Sequence, residues 1–164
     1  MKQCVRRSIG QNGFTMIEII SVLVIIGIVS VVLIARMTSP REYDLDSQVE
    51  TVKAHLRLAQ SRAMNSSRSC GIYFNSATTY YLFDNVAPTT PIQMLGEKND
   101  TVDLGTGGRK SVLTITPPAG TGGRVIFNKF GGLVDSSGNL LTSNMTIETS
   151  GKDIIVTKNT GFIP

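Results

Sequence analysis

The sequence predicts an α+β protein in which a long N-terminal helix packs on an antiparallel, β-rich C-terminal domain. Residues 14–35 are almost uniformly apolar. Residues 45–63 then repeat apolar side chains at alternating spacings of four and three, the period of an amphipathic helix. From residue 70 onward, short runs rich in β-branched and aromatic residues alternate with turn residues, which is typical of strands. The predicted helix therefore has a membrane-spanning half followed by an amphipathic half.

The apolar stretch is long enough to cross a membrane. Its 22 residues, 14–35, would extend about 33 Å as a helix, close to the ~30 Å hydrocarbon core of a bilayer. The basic residues that precede it predict a cytoplasmic N-terminus. A cleaved secretory signal would need small residues before a cut after Ala35, and Leu33 occupies one of those positions. An uncleaved signal anchor is an alternative that leaves Glu18 unexplained.

Glu18 is an ionisable residue near the start of this span, where its cost is smaller than the ~3 kcal/mol expected at the centre. A cut between Gly13 and Phe14 would create a partner for it, because the new α-amine is positively charged at neutral pH. The Phe14 amine of one subunit could then pair with Glu18 of its neighbour and fix the axial register of an assembly. Desolvation would offset part of the gain from such a pair.

The residues around this junction carry a resemblance. A short basic leader that ends at the Gly13 of GFTMIEII, together with the apolar helix after it, resembles the N-terminus of type IV pilins and pseudopilins. The resemblance implies that a membrane-embedded aspartyl prepilin peptidase cuts after Gly13 and methylates the amine of Phe14. It also implies that Glu18 acts in assembly with other pilins or pseudopilins, on an inner-membrane assembly platform, after a stage in membrane lipid. The first proline of this chain is Pro40, whereas major pilins often carry one within the apolar helix.

Later segments extend the resemblance to pseudopilin H and the FimT/FimU minor pilins, which pair such a helix with a β-rich domain. The similar segments are LRLAQSRAMNSS, GIYF, VIFNKFGGLVDSSGNL and DIIVTKNTGFI. Four regions are implied: a leader at 1–13, a transmembrane and assembly helix at 14–36, an amphipathic helix at 37–68 after Pro40, and a β-rich domain at 69–164.

The amphipathic helix presents one apolar stripe, which is expected to pack on the sheet. The stripe consists of Leu45, Val49, Val52, Leu56, Ala59 and Ala63. Asp44 or Asp46 is expected to cap the helix N-terminus. His55 lies beside the stripe and is expected to be solvated or at its boundary.

Several short segments are candidate strands of the C-terminal domain. They are CGIYFN, TTYYLFDN, TVDL, SVLTIT, RVIFN, MTIETS and DIIVTKNTGFI. The sequences NSA, DSSGN and SGKD are expected to form turns between them.

Charge and cysteine content limit the other classes of function. The formal net charge is +4, but removal of the leader takes away three of the 16 basic residues and leaves 13 against 12 acidic ones. Cys4 would leave with the leader, so Cys70 is expected either to pair with another chain or to be a buried thiol. A single histidine argues against a multi-histidine metal site, and no metal, cofactor or catalytic group is predicted.

The residues and the resemblance predict a minor pilin or pseudopilin, a structural subunit at or near the tip of a type IV pilus or type II secretion pseudopilus. Its predicted location is the inner membrane, crossed once, with the C-terminal domain in the periplasm. An alternative is a DNA-binding minor pilin for DNA uptake, because phosphate contacts need clustered cations. A more remote alternative is a membrane-anchored enzyme or sensor, although no nucleophile with a matching base is evident. The candidate DNA contacts are Arg109, Lys110, Arg124 and Lys129.

Overall fold

The computed structural model describes residues 14–35, 40–84, 90–106 and 111–164. The chain divides into two compact units, residues up to 38 and residues 39–164. In the first unit, helix α1 spans Met16–Ala35. The second unit combines helix α2 with two antiparallel sheets, so the expected α+β fold is confirmed.

Helix α2 spans Pro40–Ser66 and supplies one wall of the core. It begins at Pro40, a residue that suits the first helical turn because its missing N–H would have no partner there. Asp44 and Asp46 therefore lie inside the helix, and the expectation that one of them caps it is wrong. The chain leaves the helix through Ser67, whose φ of 54° is left-handed.

The apolar stripe of α2 is buried as its spacing predicts. Leu45 is partly buried, and the other five stripe residues are at most 2 % exposed. They pack against residues of both sheets in one continuous core. Burial of this stripe, more than intrinsic helix propensity, stabilises a helix of this kind.

Within the described residues, eight strands form two sheets. In chain order they are β1 (Cys70–Phe74), β2 (Thr79–Asp84), β3 (Thr101–Asp103), β4 (Ile115–Thr116), β5 (Arg124–Phe127), β6 (Leu133–Val134), β7 (Met145–Thr149) and β8 (Ile154–Val156). The five-stranded sheet has the order β3-β2-β1-β5-β6, and the three-stranded sheet has the order β4-β7-β8. All pairings are antiparallel.

The alternation of side chains sets the two faces of the larger sheet. Cys70, Ile72 and Phe74 of β1 join the core that α2 covers. A second buried cluster consists of Phe83 in β2, Ile126 in β5 and Val134 in β6. These positions alternate with the residues of the same strands that belong to the main core. Gly71 lies under this cluster, and a Cβ there would collide with the Val125 carbonyl and the Phe83 ring. A larger residue therefore cannot occupy this position without moving the neighbouring strand.

The predicted strands occur with shorter bounds than expected. SVLTIT contributes only the two residues of β4, and DIIVTKNTGFI only the three of β8. Strand β6 was not predicted, because a two-residue strand has no alternation to detect. The DSSGN turn follows β6 and is held by the carboxylate of Asp135, which accepts from the amides of Ser137 and Asn139.

Candidate assembly site

The start of α1 is closed by a reciprocal pair of hydrogen bonds. The Glu18 amide donates to Thr15 Oγ1 at 3.3 Å, and the Thr15 amide donates to Glu18 Oε2 at 3.4 Å. This is a capping box, and its pattern of Thr followed three residues later by Glu is legible in the sequence. Glu18 therefore has a local role at the helix start, and its role in assembly stays a prediction.

The predicted cleavage site lies directly before this box. Phe14 is 79 % exposed and precedes the helix. Gly13 lies outside the described residues. The Glu18 carboxylate reaches the amide of Thr15, so it is one residue away from Phe14, whose amine a cut at Gly13–Phe14 would free.

The surface of α1 is apolar on every side. Residues Met16–Ile34 form a candidate membrane span with a mean hydropathy of 3.0, and none of this span is buried within the chain. Ser21 and Ser30 donate to the carbonyls of Ile17 and Ile26, four residues earlier, so their hydroxyls need no external partner. A Cβ at Gly27 would meet nothing within 4 Å, so this position leaves room for close approach of another helix.

Cys70 lies at the start of β1 and is fully buried. Its Sγ donates to Asp84 Oδ1 at 2.7 Å, and the same carboxylate oxygen lies 3.2 Å from Nε of Arg62. Burial, together with the hydrogen bond to Asp84, raises the pKa of the Cys70 thiol to about 12. Since the thiolate is the reactive form, this thiol is poorly suited to exchange at neutral pH.

The candidate DNA contacts lie in different surroundings. Arg109 and Lys110 fall outside the described residues. Arg124 is the first residue of β5, and its guanidinium lies over the ring of Tyr73 at 5.8 Å. Lys129 follows the other end of β5 and lies over the ring of Phe130 at 5.1 Å. Arg124 and Lys129 are thus separated by the length of the strand.

His55 differs from the expectation of a solvated or boundary residue. It is 8 % exposed, and its Nδ1 lies 2.9 Å from the hydroxyl of Tyr80. Nε2 is 3.9 Å from a carboxylate oxygen of Glu97. Burial lowers the pKa of His55, and the Glu97 carboxylate acts in the opposite direction. The helical period places His55 next to the stripe, but it does not reveal the tyrosine 25 residues away.

Among the described residues, no group of three or more His, Cys, Asp or Glu side chains is arranged to hold a metal ion.

Residues 9–34 match the family model described as the prokaryotic N-terminal methylation motif. The match covers 26 of the 164 residues and includes Gly13, Phe14 and Glu18. No curated protein and no solved structure matches the chain.

The motif, which includes most of the apolar helix α1, gives the chain a type IV pilin-like leader, as found in subunits of pili and pseudopili. The motif and the helix fit anchoring in a membrane. The motif implies processing by a prepilin peptidase and assembly with other pilins, and it points to a structural class of protein.

Proposed function

We propose that this chain is a minor pilin or pseudopilin, a structural subunit at or near the tip of a type IV pilus or type II secretion pseudopilus. The observation that carries the proposal is the methylation motif at residues 9–34, which includes most of a helix that exposes apolar side chains on every side. Such a helix is stable only in lipid or among other apolar helices. The α1 helix of a filament subunit would be in both environments in turn, first in the membrane and then among the helices of the filament.

The proposal assigns a role to each region. Residues 1–13 form the leader removed by the peptidase, 14–36 the transmembrane and assembly helix, 37–68 the amphipathic helix, and 69–164 the β-rich domain. The basic leader would keep the N-terminus in the cytoplasm and place the β-rich domain in the periplasm. The inner-membrane assembly platform would then move the subunit from lipid into the filament.

Glu18 and the Phe14 amine are proposed to set the axial register of neighbouring subunits. Support comes from the position of the carboxylate at the first turn of α1, beside the amide of Thr15. A carboxylate held there is preoriented at the helix end that carries the freed amine. In the low dielectric of packed helices, removal of one partner would leave an uncompensated charge, which is more costly than the net gain from the pair.

The experiment that tests this function is intact-mass analysis of the full chain, expressed with and without a prepilin peptidase. We expect loss of residues 1–13 and the gain of one methyl group only when the peptidase is active. Gly13→Leu should block the cut because the bulky side chain adjoins the scissile bond, whereas Gly10→Leu, a matched change within the leader, should permit it. A chain that stays uncut beside an active peptidase would refute the proposed processing and, with it, the assembly function.

A further inference from the structure

A surface at the end of α2 exposes large apolar side chains on a rigid base. Met64, Phe130 and Phe162 are 46 %, 77 % and 61 % exposed. Phe130 lies in the loop between β5 and β6, and Phe162 lies beyond β8. Exposed aromatic residues on a fixed backbone are typical of sites where another protein binds.

The backbone beneath this surface is held in place. Gln60 of α2 donates through Nε2 to the carbonyls of Gly131 at 2.9 Å and Thr160 at 2.7 Å. The two loops touch at Gly131 and Gly161, where a Cβ on Gly161 would collide with the Gly131 carbonyl. Phe130 and Phe162 are therefore attached to adjoining, fixed loops. Binding to such a surface loses little conformational entropy.

The charged side chains of the segments that form this surface are all basic, and Asp84, outside those segments, forms an ion pair with Arg62 of α2. Lys129 lies over the Phe130 ring, and Arg57 donates to the Ile163 carbonyl at 3.0 Å. Lys158 lies in the second of the two loops, the one that follows β8. The segments that form the surface, 51–66, 128–132 and 157–163, contain no acidic residue. The basic apolar surface, as we name it, consists of Arg57, Met64, Lys129, Phe130, Lys158 and Phe162.

The opposite end of α2 has the complementary character. Residues 40–50 contain four acidic residues and one arginine, whereas residues 51–66 contain only basic charges. Tyr43, 62 % exposed, lies between Glu42 and Asp44. Asp46 and Glu50 form ion pairs with Lys152 and Lys53. The acidic helix start, as we name it, consists of Glu42, Tyr43 and Asp44.

These two surfaces cannot meet within one chain. Residues 43 and 64 belong to the same helix and are separated by about 32 Å at 1.5 Å per residue. A contact between them therefore joins two molecules through different surfaces. Interfaces of this head-to-tail kind build open helical filaments unless the rotation closes a ring.

We propose that the basic apolar surface of one chain binds the acidic helix start of a second copy of the same chain. The proposal rests on the proposed function, since it names the partner of the β-rich unit in a filament, and it requires at least two adjacent copies of the chain at or near the tip. Charge complementarity supports it: the segments of one surface contain basic residues and no acidic ones, and the other surface carries Glu42 and Asp44 beside an exposed tyrosine. Complementary charges select the register of such a contact, and the aromatic residues supply the buried area.

The test is cysteine cross-linking between two differently tagged full-length chains, coexpressed in membranes with a prepilin peptidase. Both chains carry Cys4→Ser, and the buried Cys70 is retained. One chain carries Ser47→Cys, an exposed position next to the acidic helix start, and the other carries Asn159→Cys, an exposed position in the second loop. A bismaleimide of short reach should join them. Leu95→Cys, 92 % exposed and outside both surfaces, replaces Asn159→Cys in the control and should give little product.

Charge reversal adds a second measurement that leaves the cysteines unchanged. Lys129→Glu should lower the cross-linked yield about fivefold, the effect of one lost favourable charge pair. Asp44→Lys in the chain with Ser47→Cys should restore the yield, because the two reversed charges are again opposite. Restoration also shows that the Lys129→Glu chain is folded.

Three outcomes would overturn the proposal. A yield equal to that of the Leu95→Cys control would exclude the head-to-tail contact. A yield that ignores both charge reversals would exclude the electrostatic match. DNA binding by the full chain that disappears with Lys129→Glu, without specific cross-linking, would assign the surface to nucleic acid. If the leader is removed and the chain enters filaments while cross-linking fails, only this contact is wrong and the proposed function stands.

Discussion

At the start of α1, two roles can be separated by mutation: the local capping role of Thr15 and Glu18, and the proposed intermolecular role of Glu18. The capping box uses the Thr15 hydroxyl and the Glu18 carboxylate together. The proposed assembly role needs only the charge of Glu18. Loss of a helix cap costs about 0.5–2 kcal/mol, which a membrane-inserted helix of 20 residues can tolerate.

We predict that Glu18→Ala and Glu18→Gln both leave membrane insertion intact and abolish incorporation into filaments. Glutamine keeps a side-chain acceptor for the Thr15 amide but carries no charge. The measurement is the amount of the chain in sheared filaments relative to membranes, in cells that assemble them. Thr15→Ala is the matched control: it breaks the capping box, retains the carboxylate and should still enter filaments. Loss of incorporation in Thr15→Ala alone would show that the cap, and not the charge, matters.

The reactivity of the Cys70 thiol is determined by its burial and by its hydrogen-bond partner. The thiol is buried and donates to a carboxylate oxygen that also lies beside Arg62. A disulfide to another chain would require β1 to open, since Cys70 has no exposed surface. Of the two alternatives drawn from the sequence, the surroundings of Cys70 favour the buried thiol.

At the scale of elements, glutamine side chains fix loops to α2. Gln48 is 2 % exposed and bridges two backbone groups of the segment before β4. Its Nε2 donates to the Ser111 carbonyl at 2.8 Å, and its Oε1 accepts from the Leu113 amide at 2.9 Å. Gln60 likewise holds the two loops beneath the basic apolar surface, by donating to one backbone carbonyl in each. These bonds connect residues 63 to 100 positions apart.

We predict that Gln48→Ala lowers the free energy of unfolding by about 2 kcal/mol or more, because it leaves a buried donor and a buried acceptor without partners. Urea denaturation measures the loss, and hydrogen exchange should show that the Leu113 amide is deprotected. Thr51→Ala on the same helix is the control, since among the described residues its hydroxyl bonds to the Ser47 carbonyl, one turn away. Its change should stay within about 0.5 kcal/mol. Equal losses in both variants would contradict the bridging role of Gln48.

The sequence predicted those elements that repeat a periodic signal. The stripe from Leu45 to Ala63 was legible because its spacing matches a helical turn, and β1 and β2 because they combine alternation with a turn. Strand β6 was not legible, since two residues carry no period. The hydrogen-bond partners of Gln48, Gln60 and His55 were also not predicted, because they lie in distant parts of the chain. The capping box at Thr15 and Glu18, by contrast, was present in the sequence as a local pattern.

At the scale of the whole molecule, stability should depend on pH through His55. Burial lowers its pKa in the folded chain below the ordinary value of 6.5. The unfolded chain therefore takes up this proton at a higher pH than the folded chain does. Folding stability contributed by the neutral ring is present above pH 6.5 and is lost progressively as the pH falls toward the lowered pKa.

We predict that the melting temperature of the full chain falls between pH 7 and pH 5, and that His55→Gln reduces this dependence. Glutamine retains polar atoms that can bond to the Tyr80 hydroxyl but does not titrate. Thermal denaturation at several pH values measures the effect in both chains. Glu97→Gln is the companion variant: loss of the carboxylate that raises the pKa of His55 should make the decline with acid steeper. A parallel decline in wild type and His55→Gln would assign the pH dependence to other groups.

The unburied surface of α1 also determines how a subunit can travel. Fifteen large apolar side chains of α1 are exposed, and transfer of such a surface into water would cost on the order of 20 kcal/mol or more. Under the proposed function, the subunit would therefore have no free aqueous state between bilayer and filament, and the helix would pass directly from one apolar environment to the other. Lipid tails and neighbouring helices are similarly apolar, so this exchange has little hydrophobic driving force of its own. The energy that moves the subunit from bilayer to filament would therefore have to come from another component. A released subunit would return to the bilayer and would not dissolve in water.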